Sequence, residues 1–197
     1  MKTLNTILLI FICLGANAQH DSTASQPKNY LSIELDPAPF ILGGYSVSLK
    51  YSPGKLTHIT FMGSVYSSKF PDKMMEKSNF EKGFRNLKIN TSYAFFADYF
   101  IKPDRSGFHF GPSVFLYSKS IGTTSSADVA NFKSIYPNIR AGYVYKPFKK
   151  AGFYINPWFN IGKEFALDNN NGIDGRKYSA GPISYIIAIH FGYQVTF

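Results

Sequence analysis

From Ile183 to Phe197 every second residue is large and apolar: Ile183, Tyr185, Ile187, Ile189, Phe191, Tyr193, Val195 and Phe197. The positions between them are Pro182, Ser184, Ile186, Ala188, His190, Gly192, Gln194 and Thr196. A period of two is the repeat of a β-strand, whose successive side chains point to opposite faces. A run this long, with one face almost wholly apolar, suits a strand whose apolar face meets hydrocarbon. Lipid offers no hydrogen bonds, so an open sheet edge cannot sit in a bilayer. Only a closed barrel removes every edge. The tail alone therefore narrows the expected folds to a few.

The rest of the chain repeats the pattern. Strands are expected at about 30–36, 40–51, 56–66, 87–101, 108–118, 134–146, 153–165 and 179–197. Most reach the roughly 9–11 residues that a tilted spanning strand needs. Pro37-Ala38-Pro39 is expected to make a tight first connection. Short turns follow strands two, four and six. Ser52-Pro53-Gly54-Lys55 is typical, with Pro setting φ and Gly supplying a positive one. Long connections are expected at about 67–86, 119–132 and 166–178. Short and long connections alternate in an up-and-down transmembrane barrel. The fold expected is all-β: a closed antiparallel up-and-down transmembrane β-barrel of eight strands. No amphipathic helix of globular length stands out.

The more apolar parity is assigned to lipid, and Tyr51, Tyr99, Tyr145 and Tyr193 fall near strand ends, where Tyr suits a headgroup interface. The opposite parity carries Glu34, Lys50, His58, Lys88, Asp98, His109, Arg140 and His190. Eight strands leave an interior that side chains can fill. Buried charges are costly unless paired and hydrogen-bonded. An interior polar network of Glu34, Lys50, Asp98, Arg140, His109 and His190 is therefore expected, with Asp98 and Glu34 balancing Arg140 and Lys50. Pro112, Pro137, Pro157 and Pro182 would each forfeit a ladder bond, which bulges could accommodate.

The first residues follow another rule. Lys2, the apolar run Ile7–Leu14 and the small-x-small site Ala16-Asn17-Ala18 read as a secretory signal peptide over 1–18, cleaved before Gln19. Residues 19–29 are expected to be a flexible lead-in, and 30–197 the barrel. The one cysteine, Cys13, lies in the leader after Phe11-Ile12, a poor setting for lipidation. A mature chain without thiols has no disulfide and no cysteine metal ligand. The net charge of +9 is scattered through turns and loops. It argues for anionic lipid phosphates as counter-charges, and against nucleic acid, whose binders cluster their Lys and Arg.

The tail Phe191-Gly192-Tyr193-Gln194-Val195-Thr196-Phe197 resembles the C-terminal signal of bacterial outer-membrane barrels. With the leader and the eight-strand pattern, the chain resembles the small OmpA/OmpX-type barrels. The resemblance implies the bacterial outer membrane. It also implies that Phe191, Tyr193, Val195 and Phe197 are read by the barrel-assembly machinery. With nothing after Phe197, a periplasmic peptidoglycan-binding domain is not expected.

Chemistry is sparse. His58, His109 and His190 show no metal spacing, and neither a metal nor another cofactor is expected. Lipid A deacylase barrels place a His and a Ser close together. Here Gly192 stands two residues after His190, and Ser184 lies about 20 Å along the strand at roughly 3.3 Å per residue. The loop residues Lys69, Lys73, Lys77, Lys82 and Arg85 read first as a solvated loop, with a surface contacting lipopolysaccharide or a partner as the functional alternative. Pro71-Asp72 could start a short helix there, with Met74, Met75 and Phe80 on its apolar side. The acid- and amide-rich stretch 168–175 departs from calcium-loop spacing and reads as a turn. The expected role is structural, surface-interacting or complex-forming rather than catalytic. A lipid-modifying enzyme (deacylase or acyltransferase) and a soluble periplasmic ligand-binding barrel are the alternatives.

Overall fold

A computed structural model of the chain describes residues 28–148 and 151–197. The leader, most of the lead-in and Lys149-Lys150 lie outside the described residues. Eight main strands follow in order: β1 (Tyr30–Leu35), β2 (Tyr45–Ser52), β3 (Ile59–Lys69), β4 (Phe84–Phe100), β5 (Gly107–Thr123), β6 (Val129–Val144), β7 (Phe153–Gly162) and β8 (Ser184–Thr196). Each pairs antiparallel with its sequence neighbours, and β1 pairs with β8 to close the barrel. Along β8, Tyr185, Ile187, Ile189 and Phe191 point outward, while Ala188 and His190 are buried inside.

Three local expectations are corrected. The first connection carries a five-residue helix, α1 (Pro37–Ile41), so β2 begins at Tyr45 rather than at Phe40. Asp36 caps it, accepting from Ala38 N at 3.0 Å, and proline at the first helical position is preset for the helix. The second long connection is mostly strand: β5 and β6 pair as far as Gly122 with Val129. The loop between 69 and 84 holds the expected helical start as a 3₁₀ turn (Asp72–Met74), followed by a short helix, α2 (Lys77–Glu81). Finally, β4 does not keep one parity. Its pairing with β5 shifts register between Arg85 and Lys88 and again between Ile89 and Thr91. Below the shifts Ser92, Ala94, Phe96, Asp98 and Phe100 face inward; above them Leu87 and Ile89 do, and Lys88 is turned outside.

The prolines need no bulge. Pro112, Pro137 and Pro157 all face outward, and each sits at a break in one ladder without a register shift. The β6–β7 ladder stops at Gly142/Trp158, misses the position of Pro157, and resumes as a bridge between Tyr145 and Ile155. A proline with its missing N–H on one side forfeits one bond there and leaves the other ladder whole. Pro182 lies outside the strands.

Candidate functional site

The lumen is the site that the fold builds, and it is full. At mid-height Arg140, from β6, forms a bidentate pair with Asp98 of β4; its Nε is 3.1 Å from Oδ1 and Nη2 meets Oδ2. The guanidinium stacks 4.2 Å from the Phe96 ring. A planar guanidinium suits both a carboxylate and an aromatic face. His109 Nδ1 approaches Asp98 at 3.5 Å, and its Nε2 is 2.9 Å from Asn156 Oδ1. Asn156 also reaches Glu34 at 3.5 Å. Glu34 in turn takes Lys50 Nζ, the Tyr154 hydroxyl at 2.7 Å and His190 Nδ1 at 2.8 Å. All six residues of the sequence-predicted network therefore meet in one buried chain, bridged by Asn156. His58 and Lys88 stay out of it: Lys88 is exposed, and His58 stacks on Tyr99 at the turn end with Nδ1 2.7 Å from Phe100 O.

Glycine makes room for this packing at two inward positions. A Cβ on Gly192 would stand 2.2 Å from Tyr154 Cζ, and one on Gly142 would stand 2.5 Å from His109 Nε2. Above the network Phe96, Phe115, Tyr117, Tyr136 and Trp158 stack across the lumen, with Tyr136 hydroxyl 2.9 Å from Asn160. A third ion pair follows, Lys119 with Glu164 at 2.5 Å. At the opposite end Phe100, Val144 and Tyr154 pack together. A cavity of about 10 Å³ lies there, touched by Lys50, Arg105 and Tyr154, about the room one water needs.

The turn carrying Asp104 and Arg105 braces this end. Arg105 donates to Pro53 O and, at 3.2 Å, to Leu56 O of the neighbouring turn. Burial works to raise the Asp104 carboxyl; hydrogen bonds from Ser106, with Lys146 and Lys102 nearby, outweigh it and hold the group below the usual range.

The outer end is a separate apolar core. Met75, Phe84, Leu87, Ile121, Ala130, Phe132, Ile173 and Tyr178 pack into one cluster drawn from two connections and the strand tops. Asn79 and Ser179 exchange two hydrogen bonds, of 2.7 and 3.1 Å. Arg176 ties Lys82 O, Ser125 and Asp174. The predicted basic loop residues divide here. Arg85 lies on the Phe80 ring at 3.6 Å, Lys77 is 3.7 Å from Glu81, Lys82 reaches Lys177 O at 3.4 Å, and Lys69 and Lys73 are exposed. Stretch 168–175 forms turns: Asp168 accepts from Lys133 N at 2.9 Å and from Asn170 N at 3.2 Å.

The two faces exchange polarity at one level. The cross-strand row Tyr93, Leu116 and Ile135 is the last apolar row outside; the next, Thr91, Ser118 and Lys133, is polar. At about that height the interior changes the other way, from Ser92, Ser134 and Asn138 to Leu87, Phe132 and Ile121. Below the row the wall is apolar outside and, beneath an aromatic layer of Phe96, Phe115, Tyr136 and Trp158, polar inside; above it the outside is polar and the inside, past the Lys119–Glu164 pair, is apolar. A wall with two solvents has this form: hydrocarbon below, water above. The fold is that of a small eight-stranded transmembrane barrel.

Two solved structures are similar in shape. The N-terminal β-barrel domain of Pseudomonas aeruginosa OprF aligns with 13% identity over 86% of this chain and 98% of that one, with a TM-score of 0.48. Ail, the attachment invasion locus protein of Yersinia pestis, aligns with 10% identity over 87% of this chain and 100% of that one, with a TM-score of 0.44. No family model and no curated protein matches the chain.

Several residues of the site were missed in the sequence: Tyr154, Asn156, Glu164 and Arg176. Inward parity marked Asn156. Glu164 and Arg176 lie beyond the regular strands, where no periodicity points inward.

Proposed function

We infer that this is a non-catalytic barrel of the bacterial outer membrane, exported through its leader. Its job is carried by its ordered outer head, while the lumen serves as a plug. The observation that carries this reading is the continuous buried network from Asp98 to Glu34, roofed by aromatic rings and the Lys119–Glu164 pair. Charges paired across a filled lumen support a plug rather than a path for ions. His190 supports the same reading: it is committed to Glu34 inside the wall, away from any lipid-facing serine.

The counterparts are outer-membrane lipids and lipopolysaccharide, met by the exposed lysines Lys69, Lys73, Lys88 and Lys133 above the apolar band. During assembly, the outward Phe191, Tyr193, Val195 and Phe197 serve the barrel-assembly machinery. The test is single-channel recording on protein that migrates differently boiled and unboiled. No conductance is expected, and steady open steps would overturn the plug. Loss of acyl chains from lipid A on expression would instead establish the enzymatic alternative.

A further inference from the structure

The wall has one lane that stops early. β1 ends at Leu35, opposite Phe191, so β8 from 184 to 190 pairs with β7 alone. On the other side β1 leaves β2 at Ser48, and Tyr45 to Val47 pair only with β3. Adjacent strands lie about 4.8 Å apart, so the open lane is roughly 10 Å wide between its flanking strands. Helix α1 and the residues after it partly fill it.

Two observations converge on this lane. The three most exposed large apolar side chains among the described residues border it: Ile41 at 83%, Ile187 at 74% and Tyr185 at 73%. Elsewhere on the wall outward side chains such as Phe110, Ile139 and Phe108 are less exposed, at 50%, 58% and 64%; Ile189, at the lower end of the lane, is at 49%. The second observation is the direction of the backbone groups. Gln194 N bonds Gly152 O on the β7 side, and Phe197 N bonds Asn29 O on the β1 side. Strand residues alternate in this respect, and the β7–β8 register is unbroken. The N–H and C=O groups of Tyr185, Ile187 and Ile189 therefore face the lane. Among the described residues no strand pairs with them there, and no backbone bond joins them to α1.

We propose that this lane is a docking site for an extended polypeptide segment of a membrane partner, with apolar side chains at alternate positions, which joins the edge of β8 as an added strand. Acyl chains could cover Ile41 and Ile187, but they cannot hydrogen-bond, and each unmet backbone group in hydrocarbon costs several kcal/mol. An extended peptide answers both needs together. A second copy fits poorly. Copies inserted the same way are related by an axis along the membrane normal, which sets their β8 strands side by side in parallel, with inner and outer faces exchanged. The proposal rests on the reading that this wall lies in lipid.

The probe is a synthetic peptide with the sequence of residues 30–36, the strand that occupies the same lane lower down. Backbone hydrogen exchange is followed in the full barrel embedded in lipid nanodiscs. Peptide is expected to slow exchange at Tyr185, Ile187 and Ile189 about tenfold or more, and to leave 186 and 188 unchanged. Ile187→Pro removes an N–H that β7 does not use, and should weaken peptide binding about tenfold while the boiled and unboiled forms still migrate apart. The same peptide N-methylated at alternate amides should fail on the native protein, which keeps the test sound if the proline variant does not fold. Three outcomes overturn the proposal: the three amides are already protected without peptide, protection follows protein concentration alone, or the peptide gives no slowing. A barrel that is soluble without detergent and unchanged by boiling would instead remove the membrane reading beneath it.

Discussion

The middle of the lumen and the outer head are both buried, yet they are held by opposite means. The middle joins Arg140 to Asp98 and Glu34 to Lys50, Tyr154 and His190. The head packs Phe84, Ile121, Phe132 and Tyr178 with hardly a charge among them. Strands β4 to β6 contribute to both, with Asp98 and Arg140 below and Phe84, Ile121 and Phe132 above. The difference teaches that the outside solvent decides the inside chemistry. Where hydrocarbon takes the apolar face, the inward face can carry paired charges, here beneath an aromatic layer of Phe96, Phe115, Tyr136 and Trp158. Where the strands rise into water, apolar burial again becomes the driving force.

The largest expected effect comes from breaking one charge out of the middle. Asp98→Ala leaves Arg140 buried without its partner, a change that costs about 3–5 kcal/mol. Denaturant unfolding in detergent should move accordingly. The double variant Asp98→Leu with Arg140→Met should recover most of the loss, because removing both charges also removes their desolvation. A double variant as unstable as the single one would mean that the pair does more than neutralise itself.

In the head, Phe84→Ala should cost about 3 kcal/mol by opening a cavity. Its signature should be local: faster proteolysis within 70–83 and 163–183, with the heat-dependent gel shift retained. Loss of that shift would join the two regions into one cooperative unit. On the outer face, Ile139→Lys should cost about 2 kcal/mol or more, whereas Asn131→Lys, above the polarity change, should cost about 0–1 kcal/mol. Equal costs would erase the proposed boundary.

The smallest effect is at the turn. Asp104 is held below its ordinary range, so its charged form favours the folded state. That contribution is present at neutral pH and fades as pH falls below the usual aspartate value of about 4. Asp104→Asn should flatten a slight acid dependence of the melting midpoint and leave the neutral value nearly unchanged.

Much of this was legible in the residues. Strict alternation marked the inner and outer faces of β5 to β8. The opposite charges on the inner parity marked a network, although which acid meets which base depends on registers between distant strands. The face exchange of β4 was not legible, because a bulge near Asn90-Thr91 leaves no local mark in composition. The upper parts of β5 and β6 read as loop for a physical reason. There the outer face is Ser118, Ser120, Asn131 and Lys133, and strands in water on that side lose the apolar alternation that identified them. Helix α1 was hidden behind Pro37 and Pro39, although Asp36 before proline is a helix-start signal.

The central claim, a wall with lipid outside and a packed lumen within, can be tested with two neighbouring residues. Trp158 is the only tryptophan and is buried in the lumen, while Phe159 faces outward at 52% exposure. The measurement is fluorescence quenching by lipids with brominated acyl chains, for the native protein and for the variant Trp158→Phe with Phe159→Trp. Strong quenching of the variant and weak quenching of the native protein is the expected result. Equal quenching, or stronger quenching of Trp158, would contradict it.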